Sequence, residues 1–382
     1  MDGGIAPRAG ADSASVAGVS VARLLAGVRA EVAVSLDPIV ERIDHGLYPA
    51  DAMRALGRNG AFAAHLAAET PLDSHDLGAA IEAMAAIGAS CMSTAFCTWC
   101  QDACSWYLEN SSNTELRHKL QPSLAHGVAM GGTGLSNPVK ALAGIEGFKL
   151  KAARADGGYV VSGVLPWVSN LGDGHWFGTI FEDAADPAHR LMAMVQCGQP
   201  GVEIRQNAHF IALEGTGTCS VLFRRAFIAD DMLLADPLGD MARRIRPGFV
   251  LLQTGMGLGV IDACIALMHT ADRTHNSTNR YLPKRPDHFE AAVAALRDTL
   301  MRLAATPHEM APDYTRAVLE ARLATSELTL EATQAAVLHG GARGYLENSV
   351  ISRRQREGNF VALITPSIRH LRMELATTGT RH

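Results

Sequence analysis

The sequence lacks concentrated charge and long apolar runs. Its lysines and arginines are scattered and its net charge is −5 at pH 7. No basic stripe suggests a nucleic-acid surface, and no block of like charges suggests a tail. No stretch approaches the roughly 18 uninterrupted apolar residues of a membrane span. We therefore expect neither a nucleic acid nor a membrane among the partners of this chain.

The N-terminus, MDGGIAPRAGADSAS, lacks the compact apolar stretch of a signal peptide. We interpret residues 1–14 as a disordered lead-in and expect a cytoplasmic protein. The chain is 48% hydrophobic and 19% charged, which is typical of a globular protein rather than a disordered one. Its 382 residues are enough for two or three sub-domains that share a substantial core.

The chain has seven cysteines, and Cys97, Cys100 and Cys104 fall in the apolar, helix-like run CTWCQDAC. A zinc site would need a fourth ligand at a sensible spacing, and the sequence offers no obvious one. A redox Cys-x-x-Cys pair should follow a strand. We therefore expect these cysteines to be small apolar core residues on a helix, without a metal.

The hydrophobic period changes twice along the chain. Apolar residues recur at three- and four-residue spacing to about residue 125, which predicts helices over 15–125. Alternation then predicts strands over 126–232, with a hairpin turn at the Gly-Gly pair after Asp156. Helical spacing returns over 233–382, in segments long enough for a bundle.

Three C-terminal segments carry a family resemblance: HGGARGY at 339–345, RRQREGNF at 353–360 and ITPSIRHLR at 364–372. Together they resemble the C-terminal helices of the acyl-CoA dehydrogenase family, whose members bind FAD and acyl thioesters. The resemblance implies a mostly α, α+β fold with an N-terminal helical domain, a middle β-barrel and a C-terminal four-helix bundle. It also implies a homodimer or homotetramer.

The family's catalytic base is a glutamate, and this chain has Thr365 at the corresponding position when REG is matched to the family motif RDA. A threonine hydroxyl cannot take the α-proton of a thioester unaided. The helix after RPGF, where some members carry the glutamate instead, has no acid. Glu357 lies about 12 Å away along a helix axis. The chain is thus similar to the monooxygenase and oxidase branches of the family.

The segment MGGTGLS is similar to the family segment that lines the flavin. The resemblance implies FAD contacts from Met130, Gly132 and Thr133, and acyl thioester contacts from Leu135 and Ser136. Glycines allow the backbone to approach a ring closely. Taken alone, the same letters also describe an ordinary tight turn.

The motif WVSN is similar to the family's WITN. Trp167 would cover one face of the isoalloxazine, with Ser169 near its reactive nitrogen, whereas the alternative is a tryptophan of the β-domain core. Ser367 and Arg369 follow Thr365 at positions from which family members reach FAD. Arg246 corresponds to an arginine near the CoA adenosine.

Gly340 and Gly341 match a glycine pair that approaches the FAD of a neighbouring subunit, although a bare pair is also a common helix C-cap. Arg273 aligns with an arginine that contacts FAD phosphate from another subunit. Arg280 is a rival for that role, and an exposed structural arginine is a further alternative.

We interpret the chain as an FAD-dependent oxidoreductase that acts on an acyl-CoA or related thioester and uses O2. Reduced flavin would come from a flavin reductase or from oxidation of the substrate. One alternative is a conventional acyl-CoA dehydrogenase with a displaced base. Another is a non-catalytic, degenerate subunit of a hetero-oligomer.

Overall fold

The N-terminal part of the fold is helical. The computed structural model describes residues 18–378, so the disordered lead-in expected at 1–14 lies outside the described residues. Ser20 begins the first helix by accepting a bond from the Arg23 backbone, a common N-cap arrangement. The α-helices are α1 (Val21–Glu31), α2 (Val40–Asp44), α3 (Ala50–Arg58), α4 (Leu77–Ser90), α5 (Met92–Glu109) and α6 (Thr114–Ala125).

Helix α4 begins at a different cap from the one that the sequence pattern suggests. Asp73 or Ser74 is the expected cap, but the Asp76 carboxylate accepts the bond from the Ala79 backbone. The Asp73 carboxylate instead accepts from the backbone of Gly18. A capping side chain must sit directly before the first turn, and the chain still bends at 73–74, two or more residues before Asp76.

The middle part of the chain forms one eight-stranded sheet in the order β6-β7-β3-β2-β4-β5-β8, with β1 parallel to β4. The predicted hairpin is confirmed, because β2 and β3 pair antiparallel across Gly157, whose φ is +73°. Among the described strands the order ends at β6 and β8, so the predicted barrel is open between them. The strands are β1 (Gly131–Thr133), β2 (Leu150–Ala155), β3 (Gly158–Val168), β4 (Trp176–Asp183), β5 (Arg190–Gln196), β6 (Val202–Arg205), β7 (Cys219–Ala229) and β8 (Leu233–Ala235).

Helices return after the sheet, and four of them form the expected bundle. Helix α10 packs against α8, α9 and α11, and a further helix, α12, lies along it. A short helix, α7 (Ser136–Leu142), interrupts the strands earlier in the chain. The bundle helices are α8 (Met241–Asn279), α9 (Pro286–Ala304), α10 (Pro312–Gly340) and α11 (Val350–Leu363), followed by α12 (Ile368–Thr378).

Helix α8 is the central element of the bundle. Its length and apolar composition would suffice for a membrane span, but 72% of its most apolar window is buried inside this fold. It contacts α4, α5, α9, α10 and α11. A helix that is apolar on most of its circumference is expected in the core of a large domain.

Glycines let α8 approach its neighbours closely. A β-carbon at Gly259 would lie 2.5 Å from the Ala85 carbonyl oxygen, and one at Gly255 would lie 2.6 Å from the Ile81 carbonyl oxygen. Both contacts are to the backbone of α4, which cannot rotate away. One turn apart, these glycines set the separation of α4 and α8.

We expect Gly259→Ala to lower the free energy of unfolding by about 1–3 kcal/mol, because the added methyl group overpacks a backbone contact. Gly147→Ala is the matched control, since a β-carbon there meets only open space within 4 Å. Urea unfolding of both variants checks the prediction. Equal midpoints for the two variants would contradict the close approach of α4 and α8.

Candidate active site

Five of the residues singled out in the sequence line one cavity of about 260 Å³. They are Thr133, Ser136, Trp167, Ser169 and Thr365. They come from the end of β1, the start of α7, the end of β3 and the turn after α11. The cavity therefore lies where the sheet meets both helical parts of the fold.

The end of β1 approaches the end of β3 at a glycine. A β-carbon at Gly132 would lie 2.5 Å from the Ser169 carbonyl oxygen, so only glycine fits without displacing the backbone. Thr133 follows directly, and its hydroxyl lies 2.5 Å from the Tyr107 hydroxyl. Met130 is buried just before β1 and does not line the cavity.

Trp167 is 57% exposed although it borders a mostly apolar cavity. An indole half covered by protein offers a flat surface to a ligand ring. Two residues later, the Ser169 hydroxyl lies 2.6 Å from the Thr218 hydroxyl. Asn170 is fully buried at φ 62°, donates to the Gly131 carbonyl oxygen and accepts from the Tyr48 hydroxyl. Asn170 thereby holds the two motif segments together.

The Thr365 hydroxyl lies 3.1 Å from the Ser136 hydroxyl, at the lip of the cavity. The Thr365 carbonyl oxygen accepts a 2.9 Å bond from the Gln253 side chain. None of the described residues that line this cavity is an aspartate or a glutamate. The polar groups on the wall are thus hydroxyls, the Asn359 amide and one guanidinium, that of Arg356.

Glu357 is held away from the cavity by an ion pair. It is buried, and one of its carboxylate oxygens accepts a 2.7 Å bond from Arg354. Arg354 also donates to the carbonyl oxygens of Gly88 and Ser90 at the end of α4. Arg354 therefore ties α11 to α4, and Glu357, which pairs with Arg354 within α11, does not border the cavity.

Four aromatic side chains that the sequence pattern did not single out form the helical wall: Phe96, Trp99, Phe249 and Phe360. Phe96 and Trp99 stack at 5.7 Å between ring centroids, and Phe96 meets Phe360 edge-on at 4.7 Å. Trp99 meets Phe249 at 5.0 Å. In the sequence, their helical spacing is indistinguishable from that of ordinary core residues, so it carries no separate signal.

A loop between β6 and β7 closes the outer side of the cavity through residues 210–213. Arg356 anchors it by donating to the Ile211 carbonyl oxygen at 2.7 Å and pairing with both oxygens of Asp44. The bond to Asp44 raises the pKa of Arg356. The loop, α11 and α2 are therefore connected at this cavity.

A second cavity of about 680 Å³ contains two of the residues predicted to contact substrate, Leu135 and Arg246. Phe249 lines both cavities. Arg246 pairs with Glu374, which also accepts a 2.7 Å bond from His370. Burial raises the pKa of Glu374, but the His370 and Arg246 contacts outweigh burial and leave that pKa lowered.

The remaining predicted cofactor residues line neither of these two cavities. Arg273 is exposed near the end of α8 and donates to the Thr270 hydroxyl. Gly340 ends α10, and Gly341 follows at φ +58°. Ser367 and Arg369 follow the turn after Thr365. The roles of these residues toward FAD, in part from a neighbouring subunit, stay predictions.

His339, directly before Gly340, holds the ends of two helices together. Its two ring nitrogens lie 2.9 Å from an Asp272 carboxylate oxygen and 3.1 Å from the Lys284 carbonyl oxygen. Asn279 donates to the same Asp272 oxygen and to the His339 carbonyl oxygen. The end of α10 is thus tied to the end of α8, where the glycine pair begins.

Comparison with known proteins agrees with this architecture. Residues 22–128 match the family model described as acyl-CoA dehydrogenase, N-terminal domain. Benzylmalonyl-CoA dehydrogenase of Aromatoleum aromaticum is 23% identical over 276 residues, which cover 67% of this chain and 70% of that protein. Butyryl-CoA dehydrogenase from Megasphaera elsdenii has the same fold, with a TM-score of 0.83 at 18% identity over 94% of this chain and 98% of its own.

Residues 22–128 thus resemble the N-terminal domain of the acyl-CoA dehydrogenase family, and the fold of the described residues resembles that of butyryl-CoA dehydrogenase.

The same fold also occurs in a monooxygenase. Dibenzothiophene monooxygenase (TdsC) from Paenibacillus sp. A11-2 matches with a TM-score of 0.80 at 17% identity, over 94% of this chain and 97% of its own. Its FMN-bound form matches with a TM-score of 0.81. The fold of this acyl-CoA dehydrogenase-like chain is therefore shared by dehydrogenases and by a monooxygenase.

The cysteines of this acyl-CoA dehydrogenase-like chain are core residues. All seven are free and buried, and Cys100 also borders the first cavity. Burial raises the pKa of Cys97, Cys100 and Cys104. Within residues 18–378, no group of three or more potential metal ligands is found. Cys97, Cys100 and Cys104 lie on the buried helix α5, which agrees with the placement expected from the sequence.

Thiol-specific reagents should therefore react very slowly with the native protein, because reaction requires an exposed thiolate. After unfolding in denaturant, all seven thiols should react. Colorimetric titration before and after denaturation checks this. Rapid modification of a native thiol, or fewer than seven thiols after unfolding, would contradict the assignment.

Proposed function

We propose that this protein is an FAD-dependent oxidoreductase that acts on an acyl thioester and uses molecular oxygen. The observation that carries the proposal is the wall around Thr365. Thr365, which matches the family's glutamate in the sequence, has its hydroxyl 3.1 Å from the Ser136 hydroxyl, and no carboxylate lines the described cavity. The protein would be cytoplasmic and would assemble as a homodimer or homotetramer.

The cavity wall is suited to a flavin ring. FAD, when bound, supplies a two-electron acceptor and, once reduced, a donor of electrons to O2. The half-exposed Trp167 offers a flat apolar face, and Gly132 permits close backbone approach. The hydroxyls of Thr133 and Ser169 offer hydrogen bonds at the ring edge. These features support FAD as the cofactor.

The polar groups at Thr365 do not favour ordinary dehydrogenation. That reaction removes a proton and a hydride from neighbouring carbons, and the proton needs a positioned base. The hydroxyls of Thr365 and Ser136 are too weakly basic at neutral pH, and Glu357 is committed to Arg354. With no base at this wall, an oxygen-dependent reaction accounts better for the residues present.

The second cavity suits the carrier part of a thioester. It adjoins the first at Phe249, and its wall includes apolar residues of α7 together with Arg246. The benzylmalonyl-CoA dehydrogenase relative supports an acyl-CoA substrate. The monooxygenase neighbour supports oxygen as the oxidant. Reduced flavin would come from a reductase or from the substrate.

A conventional dehydrogenase with a displaced base is the second candidate. One observation favours it: Glu374 borders the second cavity and keeps a lowered pKa, so it is ionised at neutral pH. Its pairing with Arg246 and His370 weakens its basicity, which is why we rank this candidate lower.

The purified protein should be yellow and contain one FAD per chain. Trp167→Ala should weaken FAD binding by roughly 3- to 10-fold, because it removes one aromatic ring contact. Trp176→Phe, which changes a tryptophan outside the cavity wall, should bind FAD normally. Fluorescence titration of the flavin-free protein measures both affinities. A colourless wild-type protein that takes up no FAD would favour the non-catalytic alternative.

Incubation of the reduced enzyme and a thioester with labelled O2 should place label in the product. In that case O2 supplies one atom to the product and the other leaves as water, using the two electrons of the flavin. Unlabelled product, together with rapid anaerobic turnover with an artificial electron acceptor, would instead identify an ordinary dehydrogenase.

The variant Thr365→Glu should gain α,β-dehydrogenation, because it restores a carboxylate where the family's base is expected. Gln355→Glu is a matched control that adds a carboxylate on α11, the helix before Thr365, outside the cavity wall. Product analysis by mass spectrometry compares the two variants. Equal dehydrogenation by wild type and Thr365→Glu would indicate an intact base elsewhere, such as Glu374.

A further inference from the structure

Arg322 is a fully buried cation with only neutral partners. Its guanidinium donates to the Gln253 side-chain oxygen at 2.8 Å, to the Val361 carbonyl oxygen at 2.9 Å and to the Ser326 hydroxyl. Among the described residues no carboxylate bonds to it. Each of its three nitrogens has a hydrogen-bond partner, but within residues 18–378 its charge has no partner of opposite sign.

Arg354 is the other buried arginine among the described residues, and it has a carboxylate partner. Arg354 pairs with Glu357, and Arg297 pairs with Asp262 and Glu82. A guanidinium in a low-dielectric interior carries a large desolvation penalty unless an opposite charge offsets it. Burial lowers the pKa of Arg322 to about 10, so the group still carries its charge at neutral pH. An uncompensated charge held in this way calls for a functional explanation.

Two hydrogen bonds connect Arg322, through Gln253, to Thr365 at the edge of the first cavity. Because the Gln253 side-chain oxygen accepts from Arg322, its amide nitrogen faces the Thr365 carbonyl oxygen and donates to it at 2.9 Å. A flipped amide would place a donor against the guanidinium. Arg322 therefore fixes the orientation of Gln253 and, through it, the backbone of Thr365.

The same guanidinium also holds the end of α11 through the Val361 carbonyl oxygen. Thr365 follows four residues later, with its hydroxyl at the cavity. The one arginine in the cavity wall, Arg356, is already paired with Asp44. Arg322, which is connected to Thr365, is thus a positive charge without a carboxylate partner in the described part of the chain.

We propose that Arg322 is a positioning residue which, through Gln253 and Thr365, makes the first cavity favour a bound group that carries or develops negative charge. Fixed dipoles and charges that face a low-dielectric site act strongly there, because water does not screen them. The inference rests on the proposed flavin site and adds a preference for the reduced, anionic ring over the oxidised, neutral ring.

The test compares the affinities of holoenzyme variants for reduced and oxidised FAD above neutral pH, from the midpoint potential of the bound flavin. Arg322→Met and Arg322→Gln remove the charge, so they should lower the ratio of the affinity for reduced FAD to the affinity for oxidised FAD about tenfold. For a two-electron couple, this lowers the midpoint potential of the bound flavin by about 30 mV. Arg322→Lys should retain most of the ratio.

Arg297→Met is the matched control, because it removes an arginine of the same bundle that has its own carboxylate partners. It should leave the ratio unchanged. The proposal is overturned if both neutral Arg322 variants keep the wild-type ratio, or if Arg297→Met shifts it equally. Should Arg322→Met fail to fold, Arg322→Gln, which keeps side-chain donors, decides the matter.

A measurement without flavin separates this inference from the proposed function. In the flavin-free protein, amide hydrogen exchange over 361–368 should be faster in Gln253→Leu and Arg322→Met than in wild type and Arg297→Met. If the wild type binds no FAD but exchange responds in this way, the proposed function fails while the connection to Thr365 stands. Unchanged exchange in both variants would refute that connection.

Discussion

The close packing of α8 against its neighbours is the constraint on which the site depends. Gly255 and Gly259 bring one face of this helix against the backbone of α4. Phe249, Gln253 and Gly257, spaced four residues apart, lie along another face. Phe249 lines both cavities, and Gln253 bonds to Thr365 and to Arg322. Gly257 leaves room for the side chains of Thr325 and Val361. A shift of α8 by the width of a methyl group would therefore displace the side chains that support the cavity wall.

Buried charge in this fold is mostly compensated, and the exceptions differ in kind. Glu357 pairs with Arg354 within α11, and Arg354 also donates to the end of α4. Asp272 of α8 contacts His339 of α10. Among the described residues, neither buried carboxyl oxygen of Asp102 has a hydrogen-bond partner, and burial raises the pKa of Asp102 well above its usual value, which favours the neutral form. An aspartic acid can be neutralised by taking a proton. An arginine cannot lose its charge so readily, which is why Arg322 is the more informative exception.

Local signals in the sequence were sufficient for much of the architecture. The change from helical spacing to alternation and back predicted helices, strands and helices in order, and the Gly-Gly pair predicted the hairpin at Gly157. The cap of α4 was misplaced by two or three residues, because Asp73, Ser74 and Asp76 are all suitable caps and only the path of the chain selects one. The middle β-domain that the resemblance implies is present as one sheet whose described order ends at β6 and β8, and strand alternation alone does not specify whether those end strands pair.

The sequence by itself determined the segments that carry the site, because MGGTGLS, WVSN and the Thr365 turn are contiguous motifs with recognisable chemistry. Only the tertiary structure decided that Thr133, Ser136, Trp167, Ser169 and Thr365 share one cavity, whereas Leu135 and Arg246 border a second. It also decided that Phe96, Trp99, Phe249 and Phe360 face a cavity and that Arg322 has no carboxylate partner among residues 18–378. The physical reason is that helical spacing records which side of a helix is buried, but not whether that side meets packed side chains, a ligand cavity or an opposite charge.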